Sequence, residues 1–532
     1  MGRATDDASR PGIGRLSEEM LTFEPPKMVN MRTSPGSSCN EHDPSGLMAM
    51  NGETKTMARL RVLELSNVDQ MYDYYMRVAL FYDVVKFNSE VANGSSTVGD
   101  HAENGPARRL EVALEELLVH YPAAGGRLCY NEAEGRLEIQ YYDAPPIAAG
   151  GKLVDGGDYE FDTGVKFITA HANVAFKEIG DPSVANPSLD LLYPSPCLSA
   201  IFPGKNGSFS GNYVPRPVTI IQVTTFTCGR FCLSHLAHHT LLDGFGGGAF
   251  LQNLCSIARG KGLSIHPEFS VSRRQIFQPR TPPSPSLDVI RLASIRFHPD
   301  RQFIEALGSS QEELPSGTAT TIAFPYTALE RLRHRASNFA TDRKHLCSRY
   351  QALVGLLWIA RAKSLRAGSN TVTQDLELRF PMNLRDKGIM GLNRHYPGNA
   401  VFQLAIRATV LELCELPLHE VVNKLRSVMG SVNFAECAQS LTDYIETKMK
   451  EGLTPDIDRP CLAIVALFGL PFYDADCGWG RPCFFGLPSK QLAARISILD
   501  NPSAAAWNAL VVFNSEEERA AFMKEIADYI LT

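Results

Sequence analysis

Apolar positions along this chain come in short runs broken by glycine, proline and polar clusters, a pattern that predicts strands alternating with helices. Val218 to Phe226 and Phe231 to Ala237 are two extended apolar runs joined at Cys228-Gly229-Arg230, which predicts a hairpin. After the second run the chain reads His238-His239-Thr240-Leu241-Leu242-Asp243-Gly244, then Phe245-Gly246-Gly247-Gly248, and the apolar stretch Ala249 to Ala258 predicts a helix. Ser348 to Arg366, with Trp358 inside it, carries a helical pattern. The longest uninterrupted apolar run, Cys461 to Leu470, is too short to cross a bilayer and predicts a buried strand. Near the end, Ala506 to Phe513 reads as a strand. Ser515 and Glu518 then form a capping box ahead of Phe522, Ile526 and Ile530, which recur at a helical interval.

Length and punctuation divide the chain. At 532 residues one compact core is not expected, and two large domains are the default. Gln278-Pro279-Arg280-Thr281-Pro282-Pro283-Ser284-Pro285 cannot continue a helix or an interior strand, so the boundary is placed near residue 290. Residues 1–57, with eight acidic and six basic residues and no sustained periodicity, are expected to be disordered. Residues 58–290 and 291–532 are expected to be the two domains. Asn88 to Pro106 and Ala144 to Thr163 read as surface insertions.

Composition narrows the function classes. Apolar residues make up 44% and charged residues 21%, ordinary values for a globular protein. A net charge of -6 without a basic run argues against a polyanion partner, so no nucleic acid is expected, and no segment reads as an integral membrane span. The opening residues lack a hydrophobic signal segment, which sets the expectation of a cytoplasmic, reducing location with all twelve cysteines as free thiols. The closest pair, Cys228 and Cys232, has no partner cluster at metal-ligand spacing.

The chemistry-bearing string is His239 with Asp243 four residues on and Gly244 next, placed where a strand hands over to a helix and a side chain can be aimed into a cleft. On a continuous strand His235 and His239 would share a face while His238 points the other way and packs in the core. A metal site from His235, His239 and Asp243 is conceivable by ligand type, but no further ligand cluster accompanies it, and no metal is expected. Asp243 is open to a triad reading, in which it orients the imidazole. A second string, Asp476-Cys477-Gly478-Trp479-Gly480-Arg481-Pro482, lies far downstream.

Together these strings resemble the plant BAHD acyltransferases, whose hallmarks are HxxxDG and a later DFGWG followed by Lys or Arg and Pro. Leu65-Ser66-Asn67-Val68-Asp69 is similar to the family's LSxxD element, and His120-Tyr121-Pro122-Ala123-Ala124-Gly125-Gly126-Arg127-Leu128 to its YYPLAGRL. Asn383-Leu384-Arg385 and Tyr396-Pro397-Gly398-Asn399-Ala400 resemble its VDxR and YxGNA. The resemblance covers roughly residues 58 to 532, in the family's order.

The resemblance implies an α/β fold with mixed sheets: two similar-sized domains of chloramphenicol-acetyltransferase-like fold joined by a crossover loop. It implies a monomer that uses acyl-CoA as co-substrate, with no permanently bound cofactor, and acylates a small alcohol or amine acceptor. In that scheme His239 is the general base and Asp243 turns from the cleft to pair with Arg385. Gly244 leaves room beside the imidazole for substrate, and Asp476, Gly478, Trp479 and Gly480 hold a turn. Cys477 stands where the family has Phe, and Val465-Ala466-Leu467 where many hydroxycinnamoyl-transferring members have Ser/Thr-Ser-Trp, which favours a more apolar acceptor. Two other readings are a non-catalytic member of the same fold assisting very-long-chain fatty-acid elongation, and a peptide-synthetase condensation domain, which shares HHxxxDG. The intact His239, Asp243, Gly244 and Arg385 set counts against the first, and the Asp476 string against the second.

Overall fold

The computed structural model describes residues 16–31, 49–50, 53–54, 59–83, 105–143, 163–195, 215–268, 273–293, 295–298, 319–339, 342, 346–368, 374–389, 391–456, 461–490 and 495–530. Two mixed sheets organise them. The expected hairpin forms: Thr219–Phe226 and Phe231–His238 pair antiparallel, and Gly229 takes the positive φ of 82° that the turn between them needs. These strands sit in the middle of a seven-stranded sheet, with Val165–Ala172 on one side and Tyr75–Tyr82 on the other. The helices Pro106–His120 and Gly244–Ala258 pack on one face of it, where the His235 ring stacks on Phe250 at 5.0 Å.

The second sheet runs in the order Ala319–Pro325, Ala506–Val512, Arg495–Asn501, Leu462–Ala466, Asp375–Asn383, Val401–Thr409. The apolar run from Cys461 supplies one of its inner strands, parallel to both neighbours, with Leu462 and Ile464 buried and Ala463 and Val465 half-buried on the other face. Its helical layer includes Arg349–Gly368, whose Trp358 is fully buried and donates Nε1–H to the Leu376 carbonyl at 3.3 Å. The C-terminal helix spans Glu516–Ile530 and buries Phe522 and Ile526. Its cap is half of the expected box: Ser515 Oγ accepts from Glu518 N, but the Glu518 carboxylate reaches back to Asn514 N–H at 3.2 Å.

The halves are not cleanly separate. Phe484–Gly486, late in the chain, adds a strand to the first sheet beside Tyr75–Tyr82. Asp190 accepts from Ser489 N at 2.6 Å and from Ser489 Oγ at 2.9 Å, clasping the first half to the second. The proline segment is pinned as well: Arg280 Nε and N donate to Asp443 at 2.5 and 2.7 Å, and Ser284 N donates to the same carboxylate at 3.0 Å.

Two expectations are corrected. Within residues 1–57, Leu21–Phe23 and Lys27–Val29 are strands paired antiparallel to Val165–Ala172, with Leu16, Leu21 and Val29 buried, so this part is not disordered. Strands of three residues leave no periodicity to read, and their stability comes from a sheet edge supplied by distant residues. The expectation of twelve free thiols fails for Cys255 and Cys477, which are joined in a disulfide across 222 residues. The spacing of the two cysteines is silent about this, because it is the packing of the helix Gly244–Ala258 on the downstream turn that brings them together. The insertions at 88–106 and 144–163 fall almost wholly outside the described residues.

Candidate active site

The strand Phe231–His238 ends one residue before His239, and Leu241 N bonds back to the His238 carbonyl as the chain turns into the helix. Asp243 is the N-cap of that helix: its Oδ1 accepts from Gly246 N at 3.0 Å, satisfying a donor that the first turn otherwise leaves open. The carboxylate also accepts from Arg385 Nη1 and Nη2, at 2.8 and 3.0 Å, and from Ala400 N at 3.1 Å. Asp243 and Arg385 are only 2% and 3% exposed. Arg385 spends its remaining donors on the carbonyls of Tyr396 and Gly398 and lies over the Phe245 ring at 4.7 Å. The implied Asp243–Arg385 pair is therefore present in the structure, and the triad geometry is not.

His239 is oriented by something else. Its Nδ1 lies 3.0 Å from Asn399 Oδ1. The Asn399 amide cannot be reversed, because Nδ2 donates to Asp69 Oδ1 and to the His239 carbonyl, both at 2.8 Å. Asn399 thus offers only an acceptor to the ring, so Nδ1 carries the proton and Nε2 keeps its lone pair. Asp69 is held in turn by Ser66 N and Oγ at 2.9 and 2.8 Å. Tyr72 stacks on the ring at 4.6 Å and Tyr74 lies against it at 4.9 Å, and the residue as a whole is half-buried. Sequence reasoning quoted Asp69 and Asn399 only within longer strings and missed Tyr72 and Tyr74. The signal was the aromatic cluster Tyr72-Asp73-Tyr74-Tyr75 right after the Ser66–Asp69 element.

The neighbouring histidines do other work. His238 is fully buried, with Nδ1 2.8 Å from Thr240 Oγ1 and Nε2 3.3 Å from Asp73. His235 stacks on Phe250, in surroundings quite different from those of His239, because the strand ends at His238 and the next residue leaves its alternation. No group of His, Cys, Asp and Glu able to hold a metal exists among the described residues. At Gly244 a Cβ would meet Leu470 at 2.9 Å and Leu467 at 3.6 Å, so the glycine makes room for these side chains. The tightest approach is at Gly246, where a Cβ would fall 2.0 Å from the Pro397 carbonyl oxygen.

The downstream string closes a turn at the other end of the same helix. Asp476 Oδ1 accepts from Gly478 N and Gly480 N at 2.8 and 3.1 Å, and Oδ2 from Arg259 at 2.6 Å. Gly478 and Gly480 have φ of 98° and 90°, which side chains rarely adopt. Trp479 is buried edge-on against Phe231 at 5.4 Å. Arg259 is the C-cap of the Gly244–Ala258 helix, so about 20 Å of helix separates this turn from His239.

Burial pushes the His235 ring down to about 3 and the His238 and His239 rings down to about 4, the nearby Asp243 carboxylate only partly opposing this at His239. All three imidazoles are neutral at pH 7. A folded-state value below the unfolded 6.5 means that acid favours the unfolded chain, which takes up these protons first. Stability is expected to fall as pH drops from 6.5 toward 4, each ring adding a slope of up to about 1.4 kcal/mol per pH unit. Melting temperatures of wild type and His235→Leu across this range check it, the variant showing the shallower loss. Asp243→Ala should cost about 3–5 kcal/mol in urea unfolding, because it strands a buried guanidinium, and Asp243→Ala with Arg385→Met should recover part of the loss.

The sequence model of the Transferase family matches residues 161–528, well over half of the chain. A fatty alcohol:caffeoyl-CoA acyltransferase of Arabidopsis thaliana is 27% identical over 434 residues, 80% of this chain and 85% of its own. An omega-hydroxypalmitate O-feruloyl transferase of the same plant is 27% identical over 440 residues, 81% of this chain and 82% of its own. The fold is shared with vinorine synthase, at TM-score 0.62 and 16% identity, covering 96% of this chain and 98% of that one. It is shared too with F. sporotrichioides TRI101, solved with coenzyme A and T-2, at TM-score 0.63 and 14% identity over 87% of this chain and 97% of that one. No described helix is long and apolar enough to cross a membrane. The chain belongs to the BAHD acyltransferases and is an acyltransferase with acyl-CoA as co-substrate.

Proposed function

We propose that this protein moves an acyl group from a CoA thioester directly to the hydroxyl or amine of a small acceptor, with His239 as the base. The observation that carries the reading is the hydrogen bond from His239 Nδ1–H to Asn399, which leaves Nε2 as a free proton acceptor on a ring that is neutral at pH 7. Nε2 takes the acceptor's proton as its oxygen or nitrogen attacks the thioester carbonyl. The tetrahedral species collapses with loss of the CoA thiolate, and the His239 imidazolium returns the proton to sulfur, so no acyl-enzyme forms. A ring whose cation is disfavoured is a weak base but a strong acid once protonated, which matches the second step and requires proton transfer concerted with attack in the first.

Asp243 and Arg385 act as positioning residues: they fix the turn that presents His239 and, through Ala400 N, the segment that carries Asn399. Leu467 and Leu470 border the start of the motif helix with apolar surface, in keeping with an acceptor that has an apolar body, as have the fatty alcohol and omega-hydroxypalmitate named for the two relatives. We place the boundary between the two domains near residue 290, with Leu21–Phe23 and Lys27–Val29 belonging to the first domain's sheet and Phe484–Gly486 reaching into it from the second, and we take the active species to be a cytoplasmic monomer.

Release of free CoA from acyl-CoA and alcohol or amine acceptors tests this. His239→Ala is expected to lower turnover by about 10²–10⁴-fold with an unchanged melting temperature. Equal biological rescue by wild type and His239→Ala would instead establish the accessory, non-catalytic role.

A further inference from the structure

The strand Arg495–Asn501 presents a polar feature that the acyl-transfer chemistry does not use. Its side chains alternate: Ile496 and Ile498 enter the core of the second half, whereas Leu499 packs into the core of the first. Arg495 and Ser497 therefore share the face turned toward the first half. Ser497 is 1% exposed and its hydroxyl has no hydrogen-bond partner among the described residues. The same holds for the buried Nε of Arg495, for which no ion pair exists among the described residues either.

The place of this pair in the cleft is set by register. Ala463 pairs with Arg495 and Val465 with Ser497, and Leu467 N continues the ladder by donating to the Ile498 carbonyl at 2.8 Å. Leu467 in turn lies beside Gly244, at the start of the motif helix. Arg495 is among the charges close enough to the His239 ring to disfavour its protonation. Polar donors are thus missing from Val465-Ala466-Leu467 but present one strand over, at Arg495 and Ser497.

We propose that Arg495 and Ser497 are the recognition site for a carboxylate carried by the substrate near its reacting centre. The proposal rests on the acyl-transfer reading for the word substrate, and on the unpartnered pair itself for the site. Arg495 is half-buried, with its Nε out of water and unpartnered among the described residues, and its planar fork fits the two oxygens of a carboxylate, with the Ser497 hydroxyl available as a third donor. The phosphates of CoA lie at the far end of the pantetheine arm from the thioester, so an arginine that acts on His239 reads the acyl or acceptor end. The carboxylate belongs either to an acceptor, as in a hydroxy or amino acid with an apolar body, or to a dicarboxylic acyl group.

Equilibrium binding separates these sources and does not depend on turnover. The acceptor arm compares 3-hydroxydecanoate and anthranilate with their methyl esters, and the donor arm compares malonyl-CoA with acetyl-CoA. Wild type is expected to bind the charged member at least about tenfold more tightly in one arm. That ratio should fall to near one in Arg495→Met and to an intermediate value in Ser497→Ala and Arg495→Lys. The same measurement in His239→Ala should leave the ratio intact. A retained ratio without turnover in wild type would remove the catalytic reading and leave the carboxylate site standing. No preference in either arm, or a preference that Arg495→Met, Arg495→Lys and Ser497→Ala all leave unchanged, overturns the site.

Discussion

Asp243 and Arg385 are two charges almost wholly out of water, and each is tolerable only because the other is there. Their bidentate contact does more than cancel desolvation. The carboxylate caps the helix Gly244–Ala258 and holds Ala400 N, while the guanidinium grips the carbonyls of Tyr396 and Gly398. One ion pair therefore fixes the turn after a strand of the first half to a loop of the second. His239 lies on one side of that joint and Asn399 on the other, so the geometry between them depends on the clamp.

This arrangement divides the labour that a catalytic triad concentrates in one acid. Asp243 supplies rigidity, and a neutral amide supplies orientation. The difference matters electrostatically. A carboxylate bonded to Nδ1 would stabilise the imidazolium, whereas Asn399 selects a tautomer and favours the cation only slightly. Burial, with Tyr72 and Tyr74 against the ring, keeps His239 neutral, and Arg495 adds a smaller push in the same direction. Asp69 anchors Asn399 from the first half, which is why the short Ser66–Asp69 element matters although it touches no reacting atom.

Local features were legible in the chain. The hairpin around Gly229, the helix around Trp358 and the parallel strand from Leu462 all follow from apolar pattern and turn chemistry, which act over a few residues. The motif strings pointed to His239, Asp243 and Arg385 through resemblance, and the geometry between the last two agrees. What escaped depends on distance. The strands at Leu21–Phe23 and Lys27–Val29 need an edge supplied by Val165–Ala172, and Cys255 meets Cys477 only through packing. Asn399 is a loop amide until Asp69 fixes its orientation. Nothing in the sequence singles out Arg495, and its lack of an anion among the described residues is visible only once its neighbours are in place.

The claim beneath all of this is that His239 stands at neutral pH as an uncharged ring protonated on Nδ1, with Nε2 bare. Nitrogen-15 NMR of histidine-labelled protein, assigned with His239→Ala, measures this directly. At pH 7 the His239 resonances should show a pyrrole-type Nδ1 and a pyridine-type Nε2, and Asn399→Ala should mix the two tautomers. A cationic ring at pH 7, or a proton fixed on Nε2, would contradict the arrangement described above and leave the site without a base.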